Sequence, residues 1–278
     1  MSRRALKFAA TACVTVCVAG TRVPAAPPST RPAGPVATAP ATATAPADRS
    51  AARVLRDLEA AGEKHTALRA DLTYKVVNRA LGETETRTGW VAYRKGGGET
   101  PPKFRIHFST LRLDRNKPIA EQLDYVFDGK TFSIARHRIK QLARYAIDPK
   151  QVRRPLRLGE GPFPLPFGQK AEDVLRYFHA ATRPADGDEP ENTDYVRLLP
   201  RKEYAERLNV RRIELWVDFE TRLPLRIIST APNKSVTMIT FDELRTNEDV
   251  KPSVFRFDRP AGWQETRREL DEGAELTP

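Results

Sequence analysis

Thiols are nearly absent from this sequence. Among 278 residues only Cys13 and Cys17 occur, both close to the N-terminus. Nothing beyond them can form a disulfide, act as a cysteine nucleophile or hold zinc or an iron–sulfur cluster through sulfur. Histidine is scarce too. His65, His107, His137 and His179 show neither i, i+2 nor i, i+4 spacing, so no metal site is expected. No Gly-x-Ser-x-Gly nucleophile elbow occurs. Gly129-Lys130-Thr131 looks like the end of a phosphate-binding loop, yet position 124 is Asp where that motif requires glycine. The acidic run Asp186, Asp188, Glu189, Glu191 and Asp194 lacks the spacing of a calcium loop and reads as a solvated turn. With no catalytic motif and no cofactor motif, a hydrolase is disfavoured; a catalytic carboxylate pair is the arrangement that leaves no such signature.

Acidic residues are missing from positions 1–47, which carry Arg3, Arg4, Lys7, Arg22 and Arg31. A basic start is followed by the uncharged apolar run Phe8–Gly20, which is shorter than the ~20 residues needed to span a bilayer. Residues 1–25 are therefore expected to be an export signal, with small residues for cleavage at Val23-Pro24-Ala25 or Val18-Ala19-Gly20. Ser2-Arg3-Arg4-Ala5-Leu6 partly resembles a twin-arginine signal, and the choice between the two export routes stays open. Lipidation is disfavoured, because Cys13 comes too early and Val16 before Cys17 is too large. Residues 26–47, almost wholly Ala, Pro and Thr, form no core and read as an extended linker.

About 230 residues remain from position 48 on, enough for one large β domain. Ala52, Leu55, Leu58 and Ala61 share one helical face, capped from Asp48 or Ser50 and ended by Gly62. Strand patterns then dominate. Leu72, Tyr74 and Val76 alternate with polar residues, as do Phe104, Ile106 and Phe108. The apolar phase shifts by one residue before Leu111 and Leu113, which predicts a bulge. Asp128-Gly129 predicts a hairpin turn between Leu123–Phe127 and a returning strand. Residues 139–147 fit a helix or a strand. A Pro-rich stretch at 155–168 precedes a short helix carrying Val174, Leu175 and Phe178. Strands resume at Tyr195–Leu199, Ile213–Phe219, Leu225–Ser229, Val236–Phe241 and Phe255–Phe257. The fold class is thus mainly β (α+β), an antiparallel sheet or partial barrel.

The net charge of +11 is unevenly placed. Removing the five basic residues of 1–47 leaves +6, while 130–157 alone holds +8. Lys130, Arg136, Arg138, Lys140, Arg144, Arg153 and Arg154 are its candidate docking residues for anionic lipid or an acidic partner. The plainer reading is a solvated hairpin edge. Nucleic acid is not an expected partner, since the chain is read as exported and no stacking-aromatic module is present.

Several strings, in order, resemble the LolA-type outer-membrane lipoprotein carriers. Gly89-Trp90 is similar to the family's Gly-x-x-Trp strand, and Pro102-Lys103-Phe104-Arg105 to its Pro-x-x-Phe/Arg strand start. Asp128-Gly129-Lys130-Thr131 matches its hairpin string. Leu215-Trp216-Val217-Asp218 with Leu223-Pro224, and Phe255-Arg256-Phe257 with Pro260-Ala261-Gly262, resemble its later strands and close. One position departs: the proteobacterial carriers have a lid-latching arginine just before that early proline, where this chain has Pro101, with Arg94, Lys95 and Arg105 nearby.

The resemblance implies an unclosed antiparallel half-barrel over 48–265 with a short helical lid above a hydrophobic cavity, and a charged tail at 266–278. It implies a monomeric periplasmic carrier for acylated lipoprotein or lipid. The partners it implies are an inner-membrane release complex and an outer-membrane acceptor. The cavity wall would be Leu72, Tyr74, Trp90, Phe104, Ile106, Phe108, Leu215 and Val217, and the lid Phe163, Leu165, Phe167, Val174, Leu175 and Phe178. Plain core packing explains the same residues. The alternatives are an envelope-stress sensor or partner-binding module on the same fold and, less favoured, an envelope hydrolase.

Overall fold

The computed structural model describes residues 50–97, 100–147, 158, 169–184, 186–187 and 189–269. The expected signal and linker, the Pro-rich stretch with Phe163, Leu165 and Phe167, and Arg153 and Arg154 lie outside them.

Helix α1 (Ala51–Lys64) leads into a meander of β1 (Ala67–Asn78), β2 (Glu83–Arg94), β3 (Lys103–Leu113), β4 (Ile119–Phe127), β5 (Thr131–Arg136) and β6 (Gln141–Ala146). After α2 (Ala171–Tyr177) comes a second meander of β7 (Phe178–Ala181), β8 (Thr193–Pro200), β9 (Arg212–Asp218), β10 (Pro224–Thr230) and β11 (Val236–Thr246), and β12 (Gln264–Glu269) closes the order. All twelve strands form one sheet, ordered β12-β6-β5-β4-β3-β2-β1-β11-β10-β9-β8-β7. The two meanders join where β1 pairs antiparallel with β11. Among the described residues the terminal strands β7 and β12 are not paired with each other, and the architecture is an unclosed β-barrel with two helices.

Local chemistry accounts for most of these elements. On β3, Phe104, Ile106 and Phe108 are fully buried while Arg105 and His107 point the other way, the period-2 signature of a strand with two different faces. The expected phase change is a bulge: the β2–β3 and β3–β4 registers both slip at Ser109, between Phe108 and Thr110 or opposite Thr88 and Gly89. In the β4–β5 turn the Asp128 carboxylate accepts the backbone N–H of Lys130 and Thr131, both at 2.8 Å, and Gly129 takes φ +103°, a conformation open to glycine. Residues 141–146 resolve as strand, because pairing with β5 outweighs a helical spacing that no partner face supports.

Three expectations are corrected. α1 runs through Gly62 to Lys64; one glycine costs about 1 kcal/mol, less than the packing of a buried apolar face returns. Phe255–Phe257 is no strand but the end of a 3-10 turn (Pro252–Phe255) and an extended link, with Pro252 at its first position. The boundary expected after residue 265 falls inside β12, which pairs in parallel with β6, so the sheet continues through Glu269.

Two clusters sit on the outer face. Phe255 packs with Ala67, Ala92 and Val250, and Phe257 with Val126, Ala135 and Leu142. The segment 250–263 is thus a strap across the outside of β1–β6.

Candidate functional site: the inner wall and its helical cover

The inner face of the sheet is largely apolar from one meander to the other; the exception lies toward one end, where Arg87, opposite Tyr74, is buried against Glu85 and Glu121. Leu72, Tyr74, Phe104, Ile106, Phe108, Leu215 and Val217, expected as a wall, all belong to its main cluster. An aromatic row crosses it. Tyr74 of β1 lies 5.7 Å from Phe108 of β3, Phe108 lies 6.4 Å from Tyr125 of β4, Tyr125 lies 6.1 Å from Phe132 of β5, and Phe132 lies 6.5 Å from Tyr145 of β6. These spacings are those of offset and edge-on ring pairs. Burial pushes the Tyr74 phenol up to about 12, against a side-chain hydrogen bond with Thr237 that lowers it. Burial raises the Tyr125 phenol as well. Both stay neutral at physiological pH and act as apolar rings with a polar tip.

Two helices cover this wall. Val54, Leu55 and Ala61 of α1 and Ala171 and Val174 of α2 belong to the same cluster, with Leu175 half-buried against it. α1 meets β7, β8 and α2. The Glu59 carboxylate of α1 accepts the backbone N–H of Ala171, the first residue of α2, at 3.0 Å. One turn further along, Lys95 pins the C-terminal end of α1, donating to the Glu63 carbonyl and carboxylate, both at 2.8 Å. Of the nearby cations, Arg94 instead donates to the Val250 carbonyl, and Arg105 donates to Asp124 on the outer face. Phe178 is buried in the main cluster but opens β7 rather than lying on the helix, because the helix ends at Tyr177.

Trp90 departs from the expected wall. It is paired with Asp71 and His107 and packs outside, against the strap, between the guanidinium groups of Arg69 and Arg105 at 5.3 and 5.5 Å. Its neighbours Val91 and Tyr93 point inward instead.

The basic stretch does not form one patch. Lys130 lies at one end of β5, and Arg136, Arg138 and Lys140 at the other, about 20 Å away along a six-residue strand. Arg144 is held beneath the strap, donating to the Phe257 carbonyl at 2.9 Å and lying 3.4 Å from Glu265. It is a structural contact rather than a docking group.

One polar constellation was not anticipated. Asp124, fully buried on the outer side of β4, accepts from Arg105 Nε and His107 Nδ1, both at 2.9 Å, and from His137 Nε2 at 2.7 Å. An ionised carboxylate only accepts, so all three groups donate. Burial alone would raise the Asp124 pKa. The His107 hydrogen bond and the Arg105 charge, with His137, outweigh it and hold the carboxyl below the ordinary range. Phe257 and Trp263 stand edge-on to His137 at 5.6 and 5.0 Å. The one available sequence signal was Asp124 itself, a charged residue in the middle of an apolar strand.

No family model matches the chain, and no curated protein matches it. Similar solved structures include an uncharacterized conserved protein from Thermus thermophilus, 12% identical, covering 77% of this chain and 97% of that one, with TM-score 0.44. A LolA superfamily protein from Nitrosomonas europaea is 9% identical over 76% of this chain and 99% of its own, with TM-score 0.34. The MucA/MucB complex of Pseudomonas aeruginosa is 14% identical over 75% of this chain and 61% of that one, with TM-score 0.39.

Proposed function

We propose that this chain is a periplasmic, non-enzymatic carrier that takes up the acyl chain of a lipoprotein or lipid against the inner wall. One observation carries the reading. Among the described residues, a largely apolar sheet face across both meanders is covered by two helices, and a hydrogen bond from the Ala171 N–H to the Glu59 carboxylate ties those helices together.

The energetics suit transfer rather than storage. An acyl chain of about fifteen methylenes gains ~12 kcal/mol on full burial, too much to release unaided. Helices that occupy the wall when cargo is absent return part of that burial on closing, which brings loading and release nearer to balance. The neutral phenols of Tyr74 and Tyr125 add rings to the wall without adding charge.

The test locks the cover. In a chain whose Cys13 and Cys17 are serine, Glu59→Cys and Ala171→Cys are introduced and the disulfide is confirmed by mass spectrometry. The reduced form is expected to take up a fluorescent acyl probe, and the oxidised form to take up about tenfold less or worse. Native mass spectrometry of the wild-type protein should show co-purifying acyl chains. No uptake by either form rejects the carrier and favours a partner-binding module on this fold; equal uptake by both forms rejects the opening of the helical cover.

A further inference from the structure

Exposed large apolar side chains are not scattered over this protein. Among the described residues five are exposed: Leu81 at 67%, Leu113 at 48%, Ile119 at 53%, Ile139 at 51% and Leu199 at 39%. Four of the five lie in or beside three turns. Leu81 is in the β1–β2 turn, Leu113 and Ile119 flank the β3–β4 turn, and Ile139 is in the β5–β6 turn. An antiparallel meander places every second turn at the same end, so all three share one end of the sheet. Leu113 pairs with Glu85 beside the first turn, and Arg138 of the third lies 4.0 Å from Glu121 on β4. Adjacent hairpins are two strands apart, so the tips stand about 10 Å from one another.

The charge on the three tips is mainly positive. The first tip carries Arg79, the second Arg112, Arg115 and Lys117, and the third Arg138 and Lys140, all exposed. In the second meander, the β10–β11 turn at the same end adds Lys234, while the β8–β9 turn there carries Lys202 and Arg207 with Glu203 and Glu206. Against these stand Glu83, exposed beside the first turn, and Asp114, whose carboxylate already accepts the Thr84 N–H at 2.7 Å. The turns of the opposite end mix signs, with Asp128 beside Lys130 and Glu220 beside Arg222.

We propose that this end of the sheet docks on an anionic lipid bilayer. Its Lys and Arg side chains meet head-group phosphates, and Leu81, Leu113, Ile119 and Ile139 enter the boundary between head groups and acyl chains. Single apolar side chains on separate convex tips supply too little continuous area for a stable protein interface. A bilayer accepts separate anchors, because each side chain finds its own space between lipids. The docking is independent of the inner wall and stands whether or not that wall takes an acyl chain.

The protein purified from the periplasm of an expressing host is sedimented with vesicles of phosphatidylcholine, alone or with a third phosphatidylglycerol. Binding is expected to the anionic vesicles, at least about tenfold tighter than to the neutral ones, and weakened by salt that screens beyond ~10 Å. Arg115→Glu with Lys117→Glu, and separately Leu81→Ser with Ile119→Ser, should each weaken it about tenfold with thermal unfolding unchanged, since all four sites are exposed. Lys130→Glu, at the opposite end, should leave it unchanged. A wild-type protein that ignores anionic vesicles, tip variants that bind as well as wild type, or an equal loss in Lys130→Glu would each overturn the assignment.

Discussion

Replacing Asp124 with alanine is expected to lower the midpoint of thermal unfolding by about 8 °C. Removing one partner of a buried ion pair costs about 3–5 kcal/mol, since the remaining charge keeps its burial and loses its compensation. The lower end applies here: Arg105, His107 and His137 retain side-chain exposures of 20%, 18% and 27%, so water recovers part of the loss. For a domain of this size each kcal/mol shifts the midpoint by about 2–4 °C. The effect extends beyond β4, because Arg105 also reaches the Val254 carbonyl and His137 meets Phe257 and Trp263. The strap should therefore gain hydrogen exchange before the inner wall does.

The same residue sets a pH dependence. Its carboxyl titrates lower in the folded protein than in the unfolded chain. A group lowered on folding stabilises fully above its unfolded value, about 3.9 for aspartate, and loses that stabilisation as pH falls through the folded value. The gap between wild type and Asp124→Ala should accordingly be widest near neutral pH and close in acid. Melting curves recorded from neutral to strongly acidic pH check this. Identical midpoints at neutral pH, or a gap that stays constant into acid, would contradict the assignment.

Gly89→Ala is the second large effect, expected to cost about 3 kcal/mol, the upper end for a side chain forced into a packed site. A Cβ at Gly89 would stand 1.8 Å from the His107 carbonyl oxygen and 2.8 Å from both the His107 carbonyl carbon and Phe108 Cα. These are backbone atoms of the neighbouring strand, so no rotamer change relieves the overlap and β2 and β3 must part at the bulge. Phe108 would move with them, breaking the aromatic row between Tyr74 and Tyr125. Urea denaturation measures the loss, and Gly97→Ala is the control, since a Cβ there meets nothing within 4 Å. Equal stability of the two variants would refute the close-approach role of Gly89.

Much of the inner wall was legible before any coordinates. On β3 the alternation of Phe104, Ile106 and Phe108 with Arg105 and His107 leaves one choice of face, and all three apolar residues point inward. The same logic was silent at Trp90, because Trp90, Val91, Ala92 and Tyr93 are all apolar and alternation has nothing to contrast. Its face is decided by the β3 partner, His107, already committed outward by Phe108. The Asp124 constellation was hidden for a different cause. His107 and His137 lie far apart in the chain, and only the β3–β4–β5 register brings both to one carboxylate. Arg144 read as a docking cation until β12 returned beside β6 and placed Glu265 and the strap over it.

The sequence by itself determined most of the strands, the β4–β5 turn and the bulge, and which side of β3 is apolar. Those outcomes rest on side-chain period and turn chemistry, which act over a few neighbouring residues. Only the tertiary structure decided the rest: the two helices over the inner wall, the strap outside it, the buried carboxylate among its three side-chain donors and the gathering of apolar and basic tips at one end. Each depends on strand order and register across residues far apart in the chain, and no local pattern carries that information.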